Sequence, residues 1–343
     1  MIKSAISKVV GGGHLSEAEM IQVMEAIMGG EATQAQVAAF ITALRMKGET
    51  IDEIVGAAKV MRAKATRVEV NPEGGVLVDT CGTGGDASGT FNVSTTAAFV
   101  VAATGVPVAK HGNRSVSSKC GSADVLEALG VDLSLDAGQI AECIRSAGIG
   151  FMFAPALHGA MKHAIGPRRE IGIRTVFNVL GPLTNPAGAN VQVMGVFDPS
   201  LTEPLATVLG RLGSRRALVV CGEGNLDEIT ITGATRVSEW HEGAVTTYTV
   251  HPSQFGMATA TLADIQGSAT PAEAAGQLRS VLTGAAGPCL DMVLLNAGAA
   301  IMAAGKAADL GSGVELARQA VASGAALARV DALVDCCKRV KQA

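Results

Sequence analysis

Two short segments concentrate the residue types that hold phosphate. The first runs Asp79, Thr80, Cys81, Gly82, Thr83, Gly84, Gly85, Asp86, Ala87, Ser88, Gly89, Thr90, Phe91, Asn92, Val93, Ser94, Thr95. Gly82, Gly84 and Gly85 permit positive φ and close backbone approach, as an anion nest needs. Asn92, Ser94 and Thr95 fall at the start of a helix, where oxygens and amides can hold an anion. The same glycines would also serve an ordinary strand-to-helix turn. The second segment, Lys110-His111-Gly112-Asn113-Arg114-Ser115-Val116-Ser117-Ser118-Lys119-Cys120-Gly121-Ser122, packs cations and serines into one stretch. Lysines neutralise oxyanions as point charges, Arg forks onto phosphate, and serines donate hydrogen bonds. Its alternative is a solvated charged loop.

Two more segments carry candidates. Arg168, in Gly166-Pro167-Arg168-Arg169-Glu170, suits a substrate carboxylate, although an Arg–Glu pair is the structural alternative. Further on stands the turn Gly181-Pro182-Leu183-Thr184-Asn185-Pro186. Asp227-Glu228 follows a strand and offers hard oxygens of the kind Mg²⁺ takes, together with substrate phosphates. Alone, such a pair reads as solvated surface. Other chemistries fail. Gly82-x-Gly84-x-x-Ala87 matches a dinucleotide fingerprint in form, but its helix starts too late, near Ser94, and the loop after the next strand opens on Lys110-His111 instead of the acidic ribose-binding residue. Only an NADP-dependent oxidoreductase would tolerate that. There is no P-loop, no G-x-S-x-G elbow and no C-x-x-C pair, and His158 and His163 are wrongly spaced for zinc.

The elements that must position these residues fall into two textures. Ser16-x-x-Glu19, Thr33-x-x-Gln36 and Thr50-x-x-Glu53 are capping boxes opening helices, with Gly29-Gly30 and Gly48 as stops. They predict a small helical domain over 1–70, which a segment at about 168–190 is separately expected to complete. Strands are expected at 76–79, 106–109, 149–153, 191–196 and 217–220, with a helix at 94–104 and a hairpin over 237–248. Alternation of strands and helices makes 71–343 a larger α/β domain with a mostly parallel sheet. Ligands then belong at the C-terminal ends of the strands.

Composition narrows the partners. A formal charge of −4 gives no footprint for nucleic acid, and 3% aromatics make no base-stacking platform. Seven scattered cysteines point to a reducing cytoplasm. Met1-Ile2-Lys3-Ser4 leads into no signal peptide, and apolar runs break before membrane-spanning length, so no membrane partner is expected.

Taken together, the Gly82–Asp86 loop, the Lys110–Arg114 run continuing through Ser118 to Asp124 and the Gly181–Pro186 turn resemble the anthranilate phosphoribosyltransferase family over the whole chain. The resemblance implies a nucleoside phosphorylase/phosphoribosyltransferase-like fold and a homodimer through the helical part. It implies transfer of phosphoribose from 5-phosphoribosyl 1-diphosphate to anthranilate, in tryptophan biosynthesis. By similarity the donor is held by Gly82, Gly85, Asp86, Thr90, Asn92, Val93, Ser94 and Thr95, by Lys110 through Ser118, and by Ser122. Ser94, Asp227 and Glu228 would ligate Mg²⁺, as two ions. Gly82, Asn113, His158 and Arg168 would contact anthranilate, and Lys110, Asp227 and Glu228 would carry catalysis. Cys120 and Gly159 depart from the family pattern. The rivals are a pyrimidine nucleoside phosphorylase and a non-catalytic nucleic-acid-binding relative.

Overall fold

A computed structural model describes residues 1–86, 88–114 and 120–342. The chain divides into two compact units, one comprising residues 1–67 and 154–186, the other 68–153 and 187–343.

In the first unit, the helices Glu17–Met28, Gln34–Lys47 and Ile51–Lys64 each open on the capping box read from the sequence, with both reciprocal bonds formed. Their inner faces bury Met24, Ile27, Phe40, Ile41 and Leu44 completely. The helix Lys162–Ile171, from the second chain segment, packs on Gln34–Lys47. His163 lies so close over Gly30 that a side chain there would collide with its ring.

Glu53 does more than close its box. Its Oε1 accepts the Leu15 N–H at 2.9 Å, and its Oε2 accepts the Thr50 N–H at 2.7 Å and Lys47 Nζ at 2.9 Å. The carboxylate is fully buried and Lys47 nearly so. One side chain thereby joins the starts of two helices to the end of a third. Deleting one partner of a buried pair strands the other charge. Glu53→Ala should therefore cost about 3–5 kcal/mol, measured by thermal and urea denaturation. A variant as stable as the parent would show that this junction is solvated when the protein breathes.

The second unit is built on a seven-stranded sheet, ordered β3-β2-β1-β4-β5-β6-β7. Its strands are β1 (Val78–Gly82), β2 (Val108–Gly112), β3 (Ile149–Phe153), β4 (Val191–Gly195), β5 (Arg216–Gly222), β6 (Thr235–His241) and β7 (Ala244–Val250). The first five are parallel, and the expected hairpin β6–β7 continues the sheet antiparallel. The small helical part and the larger, mostly parallel α/β part stand as the sequence leads one to expect.

Several strand bounds differ: β1 is expected at 76–79 and stands at Val78–Gly82, β5 is expected at 217–220 and stands at Arg216–Gly222, and β2 differs most tellingly. Lys110, His111 and Gly112 are read from the sequence as loop, yet they are the last three residues of β2, level with Phe151, Met152 and Phe153 of β3. A lysine and a histidine look out of place in a strand buried on both faces. Lys110 is tolerated because its Nζ finds oxygen acceptors, and the backbone N–H of His111 donates to the Asp79 carboxylate at 3.1 Å.

Candidate active site

After β1 the chain goes to β2 and β3 on one side, then returns to β4 on the other. The crevice between β1 and β4 is thus the point where strand order reverses, and the parallel strand ends converge there. The loop after β1 and the segment after β5 meet at this edge.

The glycine loop is pinned along its length. The Thr83 N–H donates to Gly195 O at 2.9 Å, and the Gly267 N–H donates to Gly89 O at 2.8 Å. The Phe91 N–H donates to Ile265 O, and Gln266 Nε2 reaches Ser88 O at 3.0 Å. Asp86 accepts both the N–H and the hydroxyl of Ser88, and Thr90 N–H donates to Ser88 Oγ. Gly84 and Gly85 take φ of 65° and 76°, as a nest of backbone N–H groups requires. The buried Thr83 Oγ1 finds no partner among the described residues. The helix Val93–Ala103 then begins, with Val93 and Thr95 buried and Ser94 half-buried in its first turn.

Asp227 and Glu228 come to this loop from far along the chain. The Gly84 N–H donates to Asp227 Oδ2 at 2.8 Å, and the Ser94 N–H donates to Glu228 Oε1 at 3.0 Å. Their segment wedges among strand ends that are all glycine. A Cβ at Gly82 would strike the Asp227 carboxylate, and one at Gly195 would overlap the Asp227 backbone. At Gly222 it would meet Glu228 O at 2.9 Å. Gly82 is needed for this approach as much as for any turn.

Lys110 is buried under the same site. Its Nζ donates to Thr80 O at 2.6 Å and lies 3.5 Å from Ser94 Oγ, while Thr80 Oγ1 donates to Ser94 O at 2.9 Å. Burial lowers the Lys110 pKa, opposed by Asp79, Cys81 and Glu228. The carboxyls move the other way. Burial, then the nearby Asp86, pushes Asp227 up to about 7, and burial with Asp227 holds Glu228 well above its ordinary range. Crowded like charges of this kind are relieved by a cation. Among the described residues no three His, Cys, Asp or Glu side chains make a closed metal cage. Two carboxylates and a serine hydroxyl still fit Mg²⁺, which takes one or two carboxylates and completes its shell with phosphate oxygens and water.

Most of the other candidates gather here. Asn92 Nδ2 donates to Cys120 O at 3.2 Å, tying the first phosphate-rich segment to the second. Ser122 Oγ donates to Asn113 O, and a Cβ at Gly112 would collide with Ser122 and Phe151. Arg114 forks onto Asp124 and Glu127 and sits 5.8 Å over the Phe153 ring, so its guanidinium is engaged by carboxylates. Ser115, Val116, Ser117 and Ser118 lie outside the described residues.

His158 and Arg168 belong to the helical unit. Arg168 stacks 5.1 Å over Phe177, and burial lowers its pKa. His158 is buried and its pKa is pushed down by that burial to about 4. Its ring is therefore neutral at physiological pH. As pH falls from 6.5 toward 4 the unfolded chain takes up this proton and the folded chain does not, so stability drops across that window. The full loss is roughly 3 kcal/mol. Urea denaturation at several pH values should show His158→Gln losing less stability on acidification than the parent. Equal slopes would place the acid sensitivity elsewhere.

Several residues that build the site carry no signal recognised in the sequence. Gln266 clasps the glycine loop, Gly195 and Gly222 make room for the acidic pair, and Asn296 bonds Ile229, the residue that follows the pair. The usable clues are strand after strand ending in glycine, and an amide inside an apolar helix.

The chain is similar to known proteins throughout. Residues 74–327 match a glycosyl transferase family a/b domain, and residues 3–65 match the helical bundle domain of the same family. It is 61% identical to an anthranilate phosphoribosyltransferase of Desulfotalea psychrophila, covering 97% of this chain and 96% of the relative. The crystal structure of an anthranilate phosphoribosyltransferase from Thermus thermophilus superposes with a TM-score of 0.92 at 45% identity, covering 97% and 99% of the two chains. That from Saccharomyces cerevisiae, in complex with PRPP and Mg, superposes with a TM-score of 0.90 at 28% identity, covering 98% of both.

Proposed function

The chain belongs to the anthranilate phosphoribosyltransferase family, and on that premise we propose that it transfers the phosphoribosyl group of 5-phosphoribosyl 1-diphosphate to the amino group of anthranilate. The full-length similarity favours this over the nucleoside phosphorylase and nucleic-acid readings. The observation that carries it is the convergence of Asp227 and Glu228 on the N–H groups of Gly84 and Ser94, above the buried Lys110.

The chemistry divides simply. The anthranilate nitrogen forms a bond to ribose C1 as the bond from C1 to diphosphate breaks, and the new ammonium loses its proton to water. An aromatic amine is already neutral at pH 7, so no strong base is needed. The barrier is charge separation, with positive charge growing on the ribose and negative charge on the departing diphosphate. Mg²⁺, held as two ions by Ser94, Asp227 and Glu228, would neutralise diphosphate charge. The N–H groups of the glycine loop and the side chains of Asn92, Thr95 and Ser122 hold the donor in place before reaction, which lowers the cost of organising it. Lys110 supplies fixed positive charge beneath Ser94. Arg168, a permanent cation lying 5.1 Å over the Phe177 ring, suits the anthranilate carboxylate.

The same reading includes a homodimer through the helical unit, where Val10 and Met46 are exposed, and a cytoplasmic location, in keeping with seven free cysteines. No helix among the described residues is long and apolar enough to cross a membrane.

The direct test follows the fluorescence of anthranilate with purified protein, 5-phosphoribosyl 1-diphosphate and Mg²⁺, beside an EDTA control. Metal-dependent loss of fluorescence is expected. Consumption of the donor without loss of anthranilate would move the reading to another acceptor.

A further inference from the structure

Asn296 lies in the helix Pro288–Ala303, whose residues from Met292 to Ala303 are all buried. It is the one amide in that run, flanked by Leu295 and Ala297. Desolvating an amide is unfavourable unless its hydrogen bonds are replaced. Here all three bonds are made at 3.0 Å or less, two of them to a residue far away in sequence. Oδ1 accepts the Ile229 N–H at 3.0 Å, and Nδ2 donates to Ile229 O at 2.8 Å and to Met292 O at 2.9 Å.

The side chain thus pairs with both backbone groups of a single residue, as a neighbouring strand would. Ile229 directly follows Glu228. The stretch from Leu226 to Thr230 belongs to no helix or strand, yet Leu226, Ile229 and Thr230 are buried, so its backbone must be satisfied by other means. Upstream, Gly222 and Leu226 exchange hydrogen bonds of 2.8 and 3.2 Å, and downstream the Thr230 N–H donates to Thr235 Oγ1 at 3.0 Å. Asn296 fixes the point between them.

We infer that Asn296 is a positioning residue, which through Ile229 holds Asp227 and Glu228 at the angle that presents them to a divalent cation carried in with the diphosphate donor. This rests on the proposed function. Packing alone does not call for an amide, since leucine would fill the same volume in this helix without the desolvation. Partners that orient metal ligands commonly govern affinity roughly 10–100-fold when removed.

The test compares Asn296→Leu and Asn296→Ala with Leu294→Ala, a fully buried core position on the same helix. Mn²⁺ is titrated into each protein with 5-phosphoribosyl 1-diphosphate present, and free Mn²⁺ is read by electron paramagnetic resonance. Half-saturation should need roughly 10-fold more Mn²⁺ in Asn296→Leu and Asn296→Ala. The KM for anthranilate should stay near that of the parent. Leu294→Ala should melt earlier and keep its Mn²⁺ affinity. Should Asn296→Ala fail to fold, Asn296→Leu, close in volume, carries the comparison. Parent-like Mn²⁺ binding in the folded Asn296 variants, or an equal shift in Leu294→Ala, overturns the inference. A parent that binds no Mn²⁺ beside the donor overturns the functional reading beneath it.

Discussion

Asp227→Asn combined with Glu228→Gln should lower kcat/KM at saturating Mg²⁺ by about 10³-fold or more, in a protein that stays folded. Each amide keeps an oxygen that can accept the Gly84 or Ser94 N–H, so the segment need not move. What disappears is the negative charge that would hold a cation on the diphosphate. Stability should move in the opposite direction to activity. Burial and the crowding of Asp86, Asp227 and Glu228 push both carboxyls upward, and neutral amides relieve that repulsion. Initial rates over a Mg²⁺ series, with thermal denaturation without metal, read both effects. Near-parental turnover in the double variant would remove the pair from the chemistry. An early melt would mark it as structural.

Lys110→Met should lower kcat about 10²–10³-fold with little change in the KM for anthranilate. The lysine is 2% exposed, so its charge is little screened by water. It faces Thr80 O and Ser94 Oγ at the foot of the helix that begins the donor site. Methionine keeps most of the chain's volume and discards the charge together with the N–H donors that face Thr80 O and Ser94 Oγ. Arginine should not restore activity, because a planar fork needs room that a buried point charge between two oxygens does not have. Steady-state kinetics of the Met and Arg variants settle it. A fully active Lys110→Met would mean that the charge serves the sheet and not the reaction.

Much of this arrangement can be read in advance, for physical reasons specific to each part. The helices of the first unit announce themselves because a capping box is a local device, complete within four residues. Strand 149–153 is legible as a short apolar run after a glycine. Lys110 and His111 read as loop because a strand's length is set by its neighbours. The ladder between β2 and β3 carries on to Gly112 and Phe153 whatever the residues' own preferences. The glycine loop and Asp227-Glu228 are visible as residue types, but their meeting is not, since they stand more than a hundred residues apart. Asn296 is the extreme case. Its partners are backbone groups of Ile229 and Met292, and a backbone group leaves no mark of its own in a sequence.

The helical unit is assembled from two pieces of chain, and that sets a timetable for its synthesis. The first four helices leave the ribosome early, but Lys162–Ile171, which packs on Gln34–Lys47, follows only after residues 68–153 have been made. At roughly 5–20 residues per second that is a wait of several seconds. Through that interval Gly30 lacks the ring of His163, and the apolar side chains that the later helix covers have only solvent or a chaperone for company. The sheet is delayed too, because β4 comes after the returning segment. Neither unit can close until translation has passed residue 186.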